Sequence, residues 1–183
     1  MSSKILKAAG LTALAIGLCQ CDGLKPKPKA PSPYAMTVRL VYTPMARAAM
    51  IRNADTIVVN AYYYGNPTPQ ALAKADGLHR LALSDEHYGW TVGANRVAVA
   101  GNVDTSLLPE IRGEPQLLLL AYSLTSGAAQ DELVHCKSWI GTVKEAQAHP
   151  PLVACELETG DKDSADDIVA ADRSSAEAAG SSQ

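Results

Sequence analysis

The stretch IVVNAYYYGNPTP, residues 57–69, decides the fold of this chain, because its side chains alternate in character at every second position. Successive residues of a β-strand point to opposite faces of the sheet. One face carries Ile57, Val59, Ala61 and Tyr63, and the other carries Val58, Asn60, Tyr62 and Tyr64. The first set is the more apolar, so we expect a strand whose first face lines the core.

The second face is the candidate partner-binding surface, formed by Tyr62, Tyr64 and, in the turn that follows, Asn66. Tyrosine offers a large contact area with a polar tip and is enriched in protein interfaces. Two structural explanations stand beside this one. The two rings could pack against a helical insert at 68–76, or they could form cross-strand pairs within the sheet.

The same period of two recurs through the middle of the chain and indicates further strands. The candidate strands are 37–43, 56–64, 79–83, 96–101, 116–122, 132–141 and 151–157. Helical patterns are confined to two short inserts, at 68–76 and 143–149. Many short strands with few helices are typical of an all-β domain, and we expect an antiparallel β-sandwich with one or two short helical inserts.

Composition divides the 183 residues into four parts. We expect a signal peptide at 1–20, a Pro/Lys-rich tether at 21–35, the β domain at 36–158 and a disordered acidic tail at 159–183. The tail has no apolar period and an excess of aspartate, so little apolar surface is available to offset its ordering. A docked tail helix around Ile168 is the alternative. The net charge of −3 and the lack of a basic stripe argue against a nucleic-acid partner.

The N-terminus has the layout of a secretory signal. Lys4 and Lys7 precede an apolar run at 8–18, the order of the basic and hydrophobic regions in such signals. The run is shorter than the 20 or so residues that a membrane-spanning helix needs. A buried N-terminal helix is the alternative interpretation.

The run ends in Leu18-Cys19-Gln20-Cys21, which resembles the leader of a bacterial lipoprotein. The resemblance implies that Cys21 becomes the lipidated first residue of the mature chain, with Cys19 as the alternative. It also implies the address: Asp22 after Cys21 favours retention at the inner membrane, whereas Gln20 after Cys19 favours the outer membrane. A soluble secreted protein cut elsewhere is the rival.

Cys136 and Cys155 lie in the last two candidate strands, and alternation places both on inward faces. In an oxidising compartment two such thiols pair, so we expect a disulfide between them. The alternative is two buried free thiols. A zinc site is disfavoured because no Cys-x-x-Cys motif or spaced histidine pair accompanies them.

Catalytic motifs are missing from the sequence. There is no Gly-x-Ser-x-Gly elbow, no phosphate-binding glycine loop and no His-Glu-x-x-His. His79 and His87 bracket Asp85 and Glu86, and this cluster is either a metal or acid–base site or a polar loop between strands. We predict no catalytic residue, no bound metal and no cofactor.

Two classes of function follow. The first is a non-catalytic, lipid-anchored periplasmic domain that binds another protein, as a secretion-system or envelope-assembly accessory or as an immunity protein. Such a domain is similar, at the level of fold, to immunoglobulin- or transthyretin-like lipoproteins, including the transthyretin-like lipoproteins of type VI secretion. The alternative is a small periplasmic hydrolase or ligand carrier that uses the 79–90 loop.

Overall fold

The computed structural model of the protein describes residues 31–93, 95–124, 133–159 and 164–180, with side chains of the last segment described as far as Ser174. The strands are β1 (Met36–Tyr42), β2 (Thr56–Pro67), β3 (Leu81–Thr91), β4 (Arg96–Val99), β5 (Ile111–Leu124), β6 (Val134–Cys136), β7 (Trp139–Thr142) and β8 (Leu152–Leu157). The helices are α1 (Pro44–Asn53), α2 (Val143–Ala148) and α3 (Ala165–Gly180), and 3-10 turns lie at Leu72–Lys74 and Thr105–Glu110.

All eight strands belong to one sheet, in the order β3-β2-β5-β6-β8-β1-β4, with β7 paired to the side of β5. The sheet is nearly closed and barrel-like. The prediction of a mainly β domain with minor helix is therefore confirmed. The expected sandwich is not what the structure shows, because the strands form one continuous hydrogen-bonded sheet rather than two packed layers.

The sheet is also mixed rather than purely antiparallel. β1 pairs with β8 in parallel, from Arg39 opposite Leu152 to Tyr42 opposite Cys155, and it pairs with β4 in antiparallel fashion. A parallel pair needs a crossover connection rather than a tight hairpin, and here the crossover is almost the whole domain. Hydrophobic alternation carries no information about this direction, which explains why the sequence did not reveal it.

Two side chains of the end strand β3 bind the backbone directly after the other end strand, β4. The Glu86 carboxylate accepts hydrogen bonds from the backbone N–H groups of Gly101 and Asn102 at 3.1 and 2.5 Å. The Tyr88 hydroxyl donates to Glu86 at 2.5 Å and accepts from the Ala100 N–H at 2.6 Å. Burial raises the pKa of Tyr88 to about 12, so the hydroxyl stays protonated and can serve both partners.

The opposite junction, between β5 and β8, is bridged by the three residues of β6. Only His135 pairs with β5, opposite Tyr122, whereas all three residues pair with β8. Cys136 lies directly opposite Cys155 and forms a disulfide with it. The predicted Cys136–Cys155 pairing is therefore confirmed. The disulfide joins β8 to β6, the shortest of these strands.

Helix α1 follows β1 directly and was not expected from the sequence. The Thr43 hydroxyl accepts a hydrogen bond from the Ala46 N–H, and Pro44 occupies the first turn, both favoured at a helix start. Ala46, Ala49 and Met50 are buried in the core. The equivalent signal at Thr68-Pro69 predicted a helix over 68–76, but the structure has only the 3-10 turn Leu72–Lys74 there.

Part of the predicted tether packs on the domain. The Tyr63 hydroxyl donates to the Tyr34 carbonyl at 3.1 Å, and the Gln147 amide donates to the Pro33 carbonyl at 2.6 Å. The Ser32 hydroxyl donates to the Gly101 carbonyl at 2.5 Å. Residues 31–35 thus belong to the folded unit, while the proposed signal peptide, both lipidation candidates and residues 21–30 lie outside the described residues.

The acidic tail differs from its predicted disorder, since residues 165–180 form helix α3. Ala165 is fully buried, and its N–H donates to the Glu156 carboxylate at 2.6 Å. Asp172 forms an ion pair with Arg39 at 2.8 Å, and Asp166 forms one with Lys137 at 3.1 Å. Two of the aspartates that suggested a solvated tail thus pair with cations, Arg39 of β1 and Lys137 directly after β6, which supports the alternative of a docked tail helix.

We expect Arg39→Asp to loosen α3, because it places a carboxylate opposite Asp172. Adding Asp172→Arg should restore the pair in reversed orientation. Exposed pairs of this kind contribute about 0.2–1 kcal/mol, so the expected coupling in a double-mutant cycle is of that size. Amide hydrogen exchange of residues 165–174 measures it. Equal exchange in the single and double variants would show that the ion pair does not hold the helix.

Candidate protein-interaction site

Strand β2 alternates as its sequence predicts. Ile57, Val59, Ala61 and Tyr63 are all fully buried, while Val58, Asn60, Tyr62 and Tyr64 are half-buried on the outer face. Burial raises the pKa of the Tyr63 hydroxyl, which donates to a backbone carbonyl and remains neutral. Three consecutive tyrosines therefore have two roles: the middle one fills the core, and the outer two lie on the surface.

Tyr62 and Tyr64 are stacked on each other, with ring centroids 5.6 Å apart and planes inclined by 17°. The Arg80 guanidinium lies over both rings, 5.1 Å from the centroid of Tyr62 and 5.5 Å from that of Tyr64. Cations over tyrosine faces are attracted by the ring quadrupole. The insert between β2 and β3 therefore covers part of the tyrosine pair, as one structural explanation expected. The covering group is Arg80, at the end of the insert, and not a helix.

Asp76 fixes the position of Arg80. Its carboxylate accepts from the Arg80 N–H at 2.8 Å, from the Arg80 Nε at 2.9 Å and from the Leu78 N–H at 2.9 Å. These bonds, the one from the Arg80 N–H foremost, lower the pKa of Asp76. The tyrosine pair, Arg80 and Asp76 thus form a pre-organised end to the outer face.

Asn66 is exposed but stands apart from the tyrosine pair. It lies opposite Arg112 on β5, and the register of β2 against β5 shifts between Tyr64 and Asn66. The expected turn at Gly65-Asn66-Pro67 is instead the end of β2. Of the three predicted partner-binding residues, the structure brings Tyr62 and Tyr64 together.

A further group of exposed apolar side chains on the outer face lies on the neighbouring strand, β5, and was not predicted as a site from the sequence. Leu120, Tyr122 and Leu124 are 41%, 43% and 55% exposed, and Leu118 adjoins Ile140 of β7, which is 64% exposed. A strand that reads QLLLLAYSL must turn alternate apolar residues outward. That run of leucines was the available signal. We call Val58, Leu118, Leu120, Tyr122, Leu124 and Ile140 the apolar column.

Polar residues border the apolar column on the β3 side. The Asn60 amide donates to the Asp85 carboxylate at 2.7 Å, and His87 lies 3.4 Å from the same carboxylate. Asn60 belongs to β2, whereas Asp85 and His87 belong to β3, which extends over the region expected to be the 79–90 loop. The sequence predicted a loop here because neither set of alternating side chains is apolar. One set lies on the exposed face, and the other lies at the β3–β4 junction.

The predicted His–carboxylate cluster is therefore divided between two faces. Asp85 and His87 are on the outer face, whereas Glu86 binds backbone groups at the junction with β4. His79 lies in a turn with φ of 57° and is exposed. Within the described ranges, no group of three or more His, Cys, Asp or Glu residues is placed to hold a metal ion.

A second polar network borders the apolar column on the other side. His135 of β6 lies 3.0 Å from the Glu156 carboxylate and 3.1 Å from that of Glu158. Glu156 is largely buried and also holds the start of α3, whereas Glu158 is 63% exposed. Both borders of the apolar column therefore combine a histidine with an exposed carboxylate.

Two surface cavities lie elsewhere, one of about 190 Å³ beside Tyr42 and Arg47 and one of about 240 Å³ between Trp139 and Val169. A nucleophilic site needs a nucleophile beside a general base. No serine or cysteine is among the described residues lining either cavity. The outer face is consequently the stronger candidate site.

A scan against protein-family models found no match, and searches of the curated proteins and of the solved structures found no significant similarity. Helices of the described part of the chain include none long and apolar enough to cross a bilayer. The function must therefore be argued from the site itself.

Proposed function

We propose that this chain is a lipid-anchored periplasmic protein whose domain binds another protein of the cell envelope and has no catalytic activity. The observation that carries the proposal is the outer face, where the apolar column lies beside a stacked tyrosine pair. Contiguous exposed apolar surface of this kind is typical of protein-interaction sites. A secretion-system accessory, an envelope-assembly factor or an immunity protein would each use such a face.

The pre-organised tyrosine pair supports a binding role. Side chains that are already held in place lose little conformational freedom when a partner docks. The Tyr62–Tyr64 stack is covered on one side by Arg80, which is itself held by Asp76.

Photo-crosslinking in intact cells tests the binding proposal. We expect p-benzoylphenylalanine in place of Tyr122, which is 43% exposed, to give a discrete adduct with one envelope protein. The same residue in place of Ile51, which is 62% exposed on α1, serves as the matched control. Adducts of equal yield at both positions, or none at Tyr122, would contradict a partner at the outer face.

The anchor is proposed from the leader Leu18-Cys19-Gln20-Cys21. A single acyl chain binds membranes only marginally, so the multiply acylated terminus of a lipoprotein is what would make the anchoring stable. Since residues 31–35 pack on the domain, the tether is residues 22–30. At about 3.1 Å per residue in an extended Pro-rich segment, it holds the domain within about 28 Å of the lipid.

We expect metabolic labelling with a palmitate analogue to tag the wild type and to lose the tag completely in Cys21→Ser. Cys19→Ser is the control and should keep it. With Cys21-Asp22 as the mature start, the protein should fractionate with the inner membrane, and Asp22→Ser should move it outward. Loss of label in Cys19→Ser alone would shift the mature start to Cys19 and the expected address to the outer membrane.

A further inference from the structure

We propose that the occupant of the outer face is a cationic amphipathic helix of the partner, an inference that rests on the proposed binding function. The inference rests on the arrangement of the outer face. The apolar column is uncharged, and an exposed carboxylate borders it on each side. The described ion-pair partner of each carboxylate is a histidine. These carboxylates are Asp85, 54% exposed beside His87, and Glu158, 63% exposed beside His135.

Along the apolar column, β5 has strands on both sides, although its ladder with β6 is the single pair of Tyr122 with His135. β5 pairs with β2 on one side and with β6 and β7 on the other. A partner strand therefore cannot extend the sheet at this point, since addition of a strand needs an unpaired edge. The partner must be recognised through side chains laid across the face.

The dimensions of the apolar column fit one helix. From Leu118 to Leu124 the strand rises about 20 Å, at about 3.4 Å per residue. A helix of about 13 residues has that length, at about 1.5 Å per residue. Across the strands, the column covers β5 with Val58 on one side and Ile140 on the other. Two strand spacings make about 10 Å, the width of a single helix rather than of a second sheet.

The borders of the apolar column select the charge of that helix. Asp85 is on β3 and Glu158 follows β8, so each carboxylate is two strands from β5, on opposite sides. Asp167 in the first turn of α3 adds negative charge on the β8 side, whereas Asp166 is already paired with Lys137. Opposite potentials across an interface favour the right partner and disfavour others. A helix with a leucine-type ridge and Lys or Arg on both flanks complements this arrangement.

Two synthetic 14-residue peptides test the inference, each with the same leucine ridge but with either Lys or Glu on both flanks. Fluorescence anisotropy of the labelled peptides with the whole chain measures binding. We expect the Lys peptide to bind at least about tenfold more tightly than the Glu peptide, in a salt-dependent manner. Equal binding of the two peptides would overturn the proposed charge preference.

Matched substitutions locate the peptide. Ile140→Thr and Leu120→Thr should each weaken binding of the Lys peptide about three- to tenfold, since each removes an exposed apolar side chain of the column. The controls are Ile51→Thr on α1 and Leu72→Thr in the 3-10 turn, which are exposed to similar extents, at 62% and 49%, and do not belong to the column. All four positions are exposed, so the variants are expected to fold, and circular dichroism checks this. Equal binding by test and control variants would overturn the site.

The charged borders have their own test. The double variant Asp85→Asn with Glu158→Gln should weaken the Lys peptide about fivefold and reduce the salt dependence of its binding. Unchanged salt dependence would overturn the role of these carboxylates. Sedimentation of the chain alone should show a monomer, and a dimer that Ile140→Thr dissociates would assign the face to a second copy instead.

These results separate the inference from the proposed function. An adduct at Tyr122 in cells, combined with no preference for the Lys peptide, would leave protein binding in place and refute the cationic helix. Failure of the adduct together with failure of the peptide would refute both.

Discussion

Replacing both Cys136 and Cys155 with alanine is expected to lower the free energy of unfolding by about 3 kcal/mol, the contribution of a crosslink that closes a loop of this length. The sequence separation is 19 residues. The effect should be concentrated at one place, because β6 joins β5 through a single residue pair and would be held to β8 only by its short ladder.

Urea denaturation of the oxidised, the reduced and the double-alanine protein measures this loss. Reduced wild type is the matched control, since it keeps both side chains and removes only the crosslink. Cys155 is fully buried, so the alanine variant should be somewhat less stable than the reduced protein because of the small cavity it leaves. Identical midpoints for oxidised and reduced protein would show that the disulfide does not stabilise the sheet.

Gly101→Ala is expected to be comparably destabilising, at about 3 kcal/mol. Gly101 has φ of +66°, where a Cβ costs about 1 kcal/mol. That Cβ would also overlap the backbone of Tyr34, including its carbonyl, and would lie 2.6 Å from the Ala35 nitrogen. Forced displacement in a packed region adds about 1–3 kcal/mol, because Tyr34 is itself bonded to Tyr63.

Gly113→Ala separates the two contributions. Gly113 also has a positive φ, of +79°, but a Cβ there meets no atom within 4 Å. It should therefore cost only about 1 kcal/mol, the conformational penalty alone. Thermal or urea unfolding of the two variants gives the comparison. Equal losses would mean that the segment at Tyr34 yields freely and is not part of the folded unit.

The strands were predictable where one face is apolar and buried. They were not predictable where polar side chains hold the strand in place by hydrogen bonds to distant backbone groups. Alternation in β1, β2, β5 and β8 located those strands and the orientation of the three tyrosines. It failed for β3, where Asp85 to Tyr88 were predicted to form a loop because they are polar. Glu86 and Tyr88 accept hydrogen bonds from backbone groups across the junction. Such partners are distant in sequence, and no local pattern reveals them.

The helices show the same limit. Thr43-Pro44 and Thr68-Pro69 carry equal start signals, yet only the first begins an α-helix. The difference is tertiary: Ala46, Ala49 and Met50 of α1 are buried in the core, whereas no residue of the 3-10 turn Leu72–Lys74 is buried. Propensity is a weak prior that packing overrides. For α3, the cations Arg39 and Lys137 that hold the tail lie far away in the sequence.

One part of the candidate site, the tyrosine pair, could be predicted from the sequence, and the other parts could not. The tyrosine pair follows from period two, but the clamp by Arg80 requires the path of the connection after β2. The apolar column was present as four consecutive leucines, Leu117 to Leu120, of which two are buried and two face outward. The sequence pattern does not indicate which outward-facing side chains are covered by neighbouring elements of the fold.

The position of β1 has a consequence for the order in which the molecule can assemble. β1 is the first strand to be synthesised, yet its parallel partner β8 begins at Leu152, and the two are joined by pairs such as Arg39 with Leu152. The sheet therefore cannot be completed until nearly the whole domain is available. Contacts so distant in sequence raise the contact order and slow folding toward the millisecond-to-second range. Until then, the edge of β1 that will pair with β8 has unpaired backbone N–H and C=O groups. Nascent chains with such unpaired edges are prone to aggregate and are bound by chaperones.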